Sequence, residues 1–155
     1  MNIQEAFSII EENGMNLEFL PNEFKDDQNL VLYAINSMEK MALFSRENLP
    51  CPLQFASDRL RNDYEIVSRA IEICGGDALM YASENLKDDA DLVKIAVKQN
   101  PTSLKFSSER VRAHKPTVLF TIKLRGRGCY GPLALEFASH ALQQDPEIIA
   151  AASHS

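Results

Sequence analysis

Apolar and polar positions along this chain follow one phrase, written five times with fixed internal spacing. A leucine leads, an aromatic follows at +2, an apolar residue at +7, a polar residue at +10 and a β-branched apolar residue at +14. The copies are Leu17, Phe19, Phe24, Asp27, Val31; Leu53, Phe55, Leu60, Asp63, Val67; Leu79, Tyr81, Leu86, Asp89, Val93; Leu104, Phe106, Val111, His114, Val118; and Leu135, Phe137, Leu142, Asp145, Ile149. The leaders lie 36, 26, 25 and 31 residues apart, so the basic period is about 25 with two insertions. Recurrence on this scale marks stacked repeats, in which each short unit buries its apolar face only against its neighbours.

Twenty-five residues hold two short helices. The second is the longer: Leu30, Val31, Ala34, Ile35, then Ile66, Val67, Ala70, Ile71, then Leu92, Val93, Ala96, Val97 form an i, i+1, i+4, i+5 stripe at helical period. Small residues at 34, 70 and 96, continued by Thr121 and Ala152, leave room for a neighbouring helix to come close. The aspartate of each phrase is placed to cap that helix, its carboxylate accepting from first-turn N–H groups. Asp145-Pro146-Glu147 is the clearest case, a cap followed by proline at the first helical position. The first half of each unit predicts a helix of a turn or two. It should break in the first copy, where Pro21 replaces the serine found at 57, 83, 108 and 139. Recurring among aliphatic neighbours, the aromatic column reads as core.

The predicted fold class is therefore all-α: short two-helix repeats of about 25 residues stacked into an α-solenoid or superhelix, as one domain over residues 1–155. Ala6, Ile9, Ile10 and Asn13 match Val93, Ala96, Val97 and Asn100, giving a half-repeat at 2–13. Full copies fall near 15–39, 51–75, 77–100, 102–124 and 133–153, with insertions near 38–50 and 125–131. Within the first insertion, residues 41–49 resemble 78–86 and place Phe44 25 residues after Phe19. They read as a duplicated short helix, or as a plain loop.

Composition narrows the function classes. Hydrophobic content of 45% and charged content of 25% suit a folded soluble domain rather than a disordered one. The longest strongly apolar run, Leu30 to Ile35, is too short to span a bilayer, and the N-terminus has no basic segment ahead of an apolar stretch. Cys51, Cys74 and Cys129 are odd in number and lack metal-site spacing, so reduced thiols in a cytoplasmic setting are expected, with no metal and no cofactor. Net charge of −6 predicts no general attraction to nucleic acid or anionic membrane.

Residues 77–100, DALMYASENLKDDADLVKIAVKQN, resemble a bacterial repeat family whose units read ALxYAS-EEL-xxD-xxVVLxAVKQNG and which is known as domain of unknown function 4116. The likeness is strong from Leu53 to Asn100 and weak over 105–131. It implies a helical repeat but no activity, since the family carries no agreed catalytic residues. Such repeats occur in intracellular bacterial pathogens that export effectors, so the resemblance also admits translocation into a host cell. The fourth copy departs most: His114 replaces the capping aspartate and Pro116 follows.

That fourth copy also reverses the chain's charge. Residues 105–127 hold Lys105, Arg110, Arg112, Lys115, Lys123, Arg125 and Arg127 against Glu109 alone, a net of +6, which leaves −12 on the remainder. These charges are expected near one edge of the stack, ending in the loop Arg125-Gly126-Arg127-Gly128-Cys129-Tyr130-Gly131, where glycine permits close backbone approach and arginine forks suit carboxylates or phosphates. Three uses compete. The face is simply solvated or pairs with acidic repeats of the same chain; it binds an acidic protein or second copy; or it binds phosphate or nucleic acid, to which the overall negative field is opposed. The candidate partner-binding set is Lys105, Arg110, Arg112, His114, Lys115, Lys123, Arg125, Arg127 and Tyr130. The enzymatic alternative has Cys129 as a thiol nucleophile, with His114 or His140 as base and Asp145 as orienting acid, though no spacing demands it. At the C-terminal end, Ile148, Ile149 and Ala152 belong to a helix with no further repeat to cover it, which is expected to mean self-association, a partner at that end, a piece of a longer array, or simply an exposed final helix.

Overall fold

The computed structural model describes residues 1–39, 50–124 and 130–153, with the backbone alone for 130–133. Every regular element among them is helical. A first helix, α1 (Ile3–Glu12), is closed by a capping box in which Asn2 accepts from Glu5 N–H and Glu5 reaches back to Asn2. Four units then follow one plan of a 3-10 helix, a one-turn α-helix and a long α-helix. They comprise Gly14–Phe19, α2 (Asn22–Lys25) and α3 (Gln28–Ser37); Pro52–Phe55, α4 (Asp58–Arg61) and α5 (Tyr64–Cys74); Gly76–Tyr81, α6 (Glu84–Lys87) and α7 (Ala90–Gln99); and Pro101–Phe106, α8 (Glu109–Arg112) and α9 (Lys115–Ile122). In the fifth unit an α-helix, α10 (Tyr130–Phe137), replaces the 3-10 helix, before α11 (His140–Gln143) and α12 (Pro146–Ser153).

The first half of the unit is thus two elements, not one, and the break is general rather than confined to Pro21. At the break Ser57, Ser83 and Ser108 turn extended and cap the short helix, each hydroxyl accepting from the N–H three residues on. Proline fits the same place in the first copy because a residue there lies ahead of the helix, where no intrahelical N–H is needed. The long helices start where the sequence places their caps: Asp27 accepts from Leu30 N–H, Asp63 from Glu65 and Ile66, Asp89 from Asp91 and Leu92, and Asp145 from Glu147 and Ile148.

Successive long helices touch in chain order, α1 to α3, α3 to α5, α5 to α7, α7 to α9 and α9 to α12, and the 3-10 helices touch in the same order. A third row is tied by backbone hydrogen bonds. Ser57, Ser83, Ser108 and Ser139 each donate their N–H to the carbonyl of the last residue of the preceding short helix, Lys25, Arg61, Lys87 and Arg112, at 2.9–3.0 Å. The leading leucines 17, 53, 79 and 104 and the +14 residues Val31, Val67, Val93 and Val118 are fully buried between these rows.

Two expectations about the columns change. Phe55, Tyr81, Phe106 and Phe137 are half-buried against the core rather than within it, and Phe19, in the first of the described 3-10 helices, is 75% exposed. The small column does admit a close neighbour, but it is the start of the unit's own 3-10 helix: a Cβ on Gly14 or Gly76 would lie 2.2 or 2.3 Å from the carbonyl oxygen of Ala34 or Ala96. The duplicated short helix expected at 41–49 lies outside the described residues.

Candidate interaction surface

The basic residues of the fourth unit lie on three successive elements. Lys105 lies in the last turn of the 3-10 helix, Arg110 and Arg112 lie on α8, His114 stands just ahead of α9, Lys115 begins it, and Lys123 follows its last turn. At 1.5 Å rise per residue Lys115 and Lys123 are roughly 12 Å apart along the helix axis. Arg125, Arg127 and Cys129 lie outside the described residues, and Tyr130 is described only as backbone opening α10.

Two of these charges are engaged inside the chain. Arg110 Nε is 2.8 Å from Asp88 Oδ2, while its terminal nitrogen donates to the Asp88 carbonyl. Lys115 Nζ is 2.8 Å from both Asp145 and Glu147, bridging the starts of α9 and α12. The reading in which part of the basic face pairs with acidic repeats therefore describes Arg110 and Lys115. Lys105, Arg112 and Lys123 make no ion pair among the described residues. Lys105 is exposed with its ammonium 4.7 Å from the Phe106 ring centre, Lys123 is exposed, and Arg112 is half-buried with its Nε lacking a hydrogen-bond partner. Arg112 also belongs to a column, Lys25, Arg61, Lys87 and Arg112, in which a cation ends each short helix and complements its dipole.

His114 occupies the cap position of α9 without capping it; its Nδ1 lies 2.8 Å from Thr117 Oγ1 instead. The C-terminal face is smaller than the sequence implies. Ile148 is fully buried and Ala152 is 6% exposed, both packed within the chain because α12 lies against α9, α10 and α11, which leaves Ile149, 43% exposed, as the apolar member of that set facing outward. A second copy could not extend the backbone ladder with its first unit, since Pro21 stands where the other units have a donating serine.

Sequence reasoning missed the acceptors that hold Arg110, and the signal was available. Asp88 lies nine residues after its leader, as does Asp26; Ser57-Asp58-Arg59 and Ser108-Glu109-Arg110 repeat a Ser-x-Arg spacing one unit later. The contacts repeat too. Ser57 and Ser108 hydroxyls donate to Asp26 and Asp88, and Arg59 Nε is 3.0 Å from Asp26 with its terminal nitrogen 2.6 Å from the Asp26 carbonyl. Between them, Ser83 donates at 2.6 Å to Asn62, the neutral counterpart.

These clamps set a pH dependence. The Ser57 hydroxyl and Arg59 guanidinium hold the Asp26 carboxyl below its ordinary 3.8, Ser108 and Arg110 do the same for Asp88, and Lys115 lowers Asp145. A carboxyl depressed in the folded state contributes stability above its unfolded value, and that contribution is lost as pH falls through the folded value. Thermal unfolding should therefore move to lower temperature between about pH 4 and the depressed range. An Asp26→Asn, Asp88→Asn variant should show a shallower acid limb than the parent, and parallel limbs would exclude the clamps as its source.

Elsewhere, Cys51 and Cys74 are both buried thiols; the neighbouring Cys74 and the apolar surroundings push the Cys51 thiol well above its ordinary value, away from nucleophilic reactivity. No cluster of three or more metal-ligating side chains occurs among the described residues, and no helix there is long and apolar enough to cross a membrane.

A family model described as Domain of unknown function (DUF4116) matches three times, over residues 6–44, 47–78 and 75–112, which together are more than half of the chain. The chain belongs to this family. The third DUF4116 match ends at Arg112, just ahead of His114, where capping is lost. No curated protein and no solved structure matches the chain. The DUF4116 assignment carries the repeat and assigns no chemistry.

Proposed function

We propose that this DUF4116 protein is a non-catalytic α-solenoid that docks an acidic protein through its fourth unit, with Lys105, Arg112 and Lys123 as the contributing cations. Stacking is supported by three rows of contacts in chain order, long helix on long helix, 3-10 helix on 3-10 helix, and the serine ladder. The observation that carries the docking reading is charge left over: in a chain of net −6, the fourth unit keeps cations that no carboxylate of the described residues engages. Opposite potentials steer encounter and fix register more than they add affinity. Reduced Cys51 and Cys74 fit a cytoplasmic setting in a bacterium or, after export, in a host cell.

Titration of an oligo-glutamate peptide, followed by calorimetry at low salt, tests the assignment. Lys105→Glu, Arg112→Glu and Lys123→Glu together should weaken binding roughly tenfold or more with unchanged helicity. Arg110→Glu should instead lower the unfolding temperature with a smaller effect on binding, because it breaks a clamp. Equal binding by the triple variant and the parent would remove the surface from consideration. Electrophoretic mobility of short duplex DNA at low salt should be unaffected by the protein; a strong, salt-sensitive shift would favour phosphate as the ligand instead.

A further inference from the structure

Four joints link the five units, and three share one device. At the first, the Ser57 hydroxyl and Arg59 grip Asp26; at the second, Ser83 grips Asn62; at the third, Ser108 and Arg110 grip Asp88. At the fourth joint every side-chain part of it is gone. The gripped position is Ala113, the position of Arg59 and Arg110 is Ala141, and the buried Ser139 Oγ has no hydrogen-bond partner and caps nothing. The backbone bond from Ser139 N–H to the Arg112 carbonyl remains at 2.9 Å.

Two further supports are missing at the same place. His114 leaves the start of α9 without a side-chain cap, and α9 has eight residues where α3, α5 and α7 have ten or eleven. The buried polar side chains among the described residues, Ser103, Ser107, Thr117 and Thr121, all belong to the fourth unit, so its interior returns less hydrophobic stabilisation. Among the described residues, the side-chain ion pairs that span the joint are those of Lys115 with Asp145 and Glu147, whose side chains are 24–64% exposed and open to screening by salt.

We propose that the fourth joint is the opening point of the molecule: the fifth unit separates from α9 as one cooperative piece while the first four units stay stacked. Opening uncovers the face of α9 that packs against α10 and α12. Nothing in this inference requires the fourth unit to bind an acidic partner, and the two are tested separately.

Amide hydrogen exchange of the full chain, read by mass spectrometry, decides it. In the parent, amides of α9, the described part of α10 and α12 should exchange together through one opening, faster than those of α5 and α7. The outermost helix at the other end of the described residues, α1, controls for fraying, and it should exchange on its own schedule. Raising salt from about 0.05 to about 0.5 M should speed the α9–α12 set, by weakening the lysine bridge. Ala113→Asp with Ala141→Arg installs the absent clamp, and Ala113 already has the backbone conformation of Asp88, φ −93° and ψ −3° against −91° and −2°. That variant should slow exchange of the same set roughly fivefold and blunt its salt response. Protection of the fifth unit equal to that of the third in the parent would overturn the proposal, whatever the variant does. So would a folded clamped variant whose fifth unit exchanges at the parental rate.

Discussion

Replacing Gly76 with alanine should destabilise the protein by about 3 kcal/mol, the upper end of what one added methyl costs in a packed interior. The new Cβ would sit 2.3 Å from the Ala96 carbonyl oxygen and 2.6 Å from Ser103 Oγ. These two obstacles differ in kind. Ser103 can turn away only by giving up its hydroxyl bond to Asp77 at 2.7 Å, whereas the carbonyl is helical backbone that already accepts from Asn100 N–H at 2.9 Å, so relief there requires the 3-10 helix to lift off α7. The preceding Gly75 has φ 98° and ψ 168°, a conformation open essentially to glycine alone, which fixes how the chain leaves α5 and limits that movement. By denaturant unfolding, Gly76→Ala should cost nearly the same in the parent as in a Ser103→Ala background, because the immovable atom is common to both. A single variant within about 0.5 kcal/mol of the parent, the range of an inconsequential surface change, would mean that the contact yields freely.

That contact also marks what could be read from the sequence. The small column at 34, 70 and 96 was legible as a place of close approach because alanine on a helix stripe is a size signal. Its partner was not, because Gly14 and Gly76 alternate with prolines at 50 and 101, and no shared residue type announces a column. The long helices were legible for a stronger reason: apolar period, aspartate cap and spacing all point the same way in four of the five units. The first halves were not, since a one-turn helix leaves no periodicity, and the serine that ends one element and caps the next looks like an ordinary mid-helix polar residue. Phe19 and Ile149 show where column logic fails. Equivalent positions share burial only when both neighbouring units are present, and these two stand at opposite ends of the described stack.

The basic cluster was visible as composition, whereas its allocation was not. Charge counting treats Arg110 and Arg112 alike, although one is tied to Asp88 and the other has no ion pair among the described residues. What separates them is the identity of a residue one unit earlier, where Asp26, Asn62, Asp88 and Ala113 vary with Arg59, Asn85, Arg110 and Ala141. A pairing spread across two units, with three chemical versions, is invisible to any search for one repeated residue.

The same dependence on neighbours predicts unequal costs for equivalent substitutions. Leu79→Ala removes a fully buried side chain from the 3-10 helix Gly76–Tyr81, which packs against α5, α7 and the next 3-10 helix, so the cavity is enclosed by both adjoining units. A loss of about 3–4 kcal/mol is expected, roughly 10 °C in the unfolding midpoint for a chain of this size. Leu135→Ala takes the leader of the fifth unit, which is only partly buried, and should cost about 1 kcal/mol. A single cooperative core would not rank the sites by place in the chain, but a stack does: a defect in the third unit severs contacts on both sides, and one in the fifth affects a single joint. Leu79→Ala should accordingly split the unfolding transition, with the units before and after the defect no longer melting together. Comparable losses at positions 79 and 135, each with one sharp transition, would contradict nearest-neighbour stacking itself.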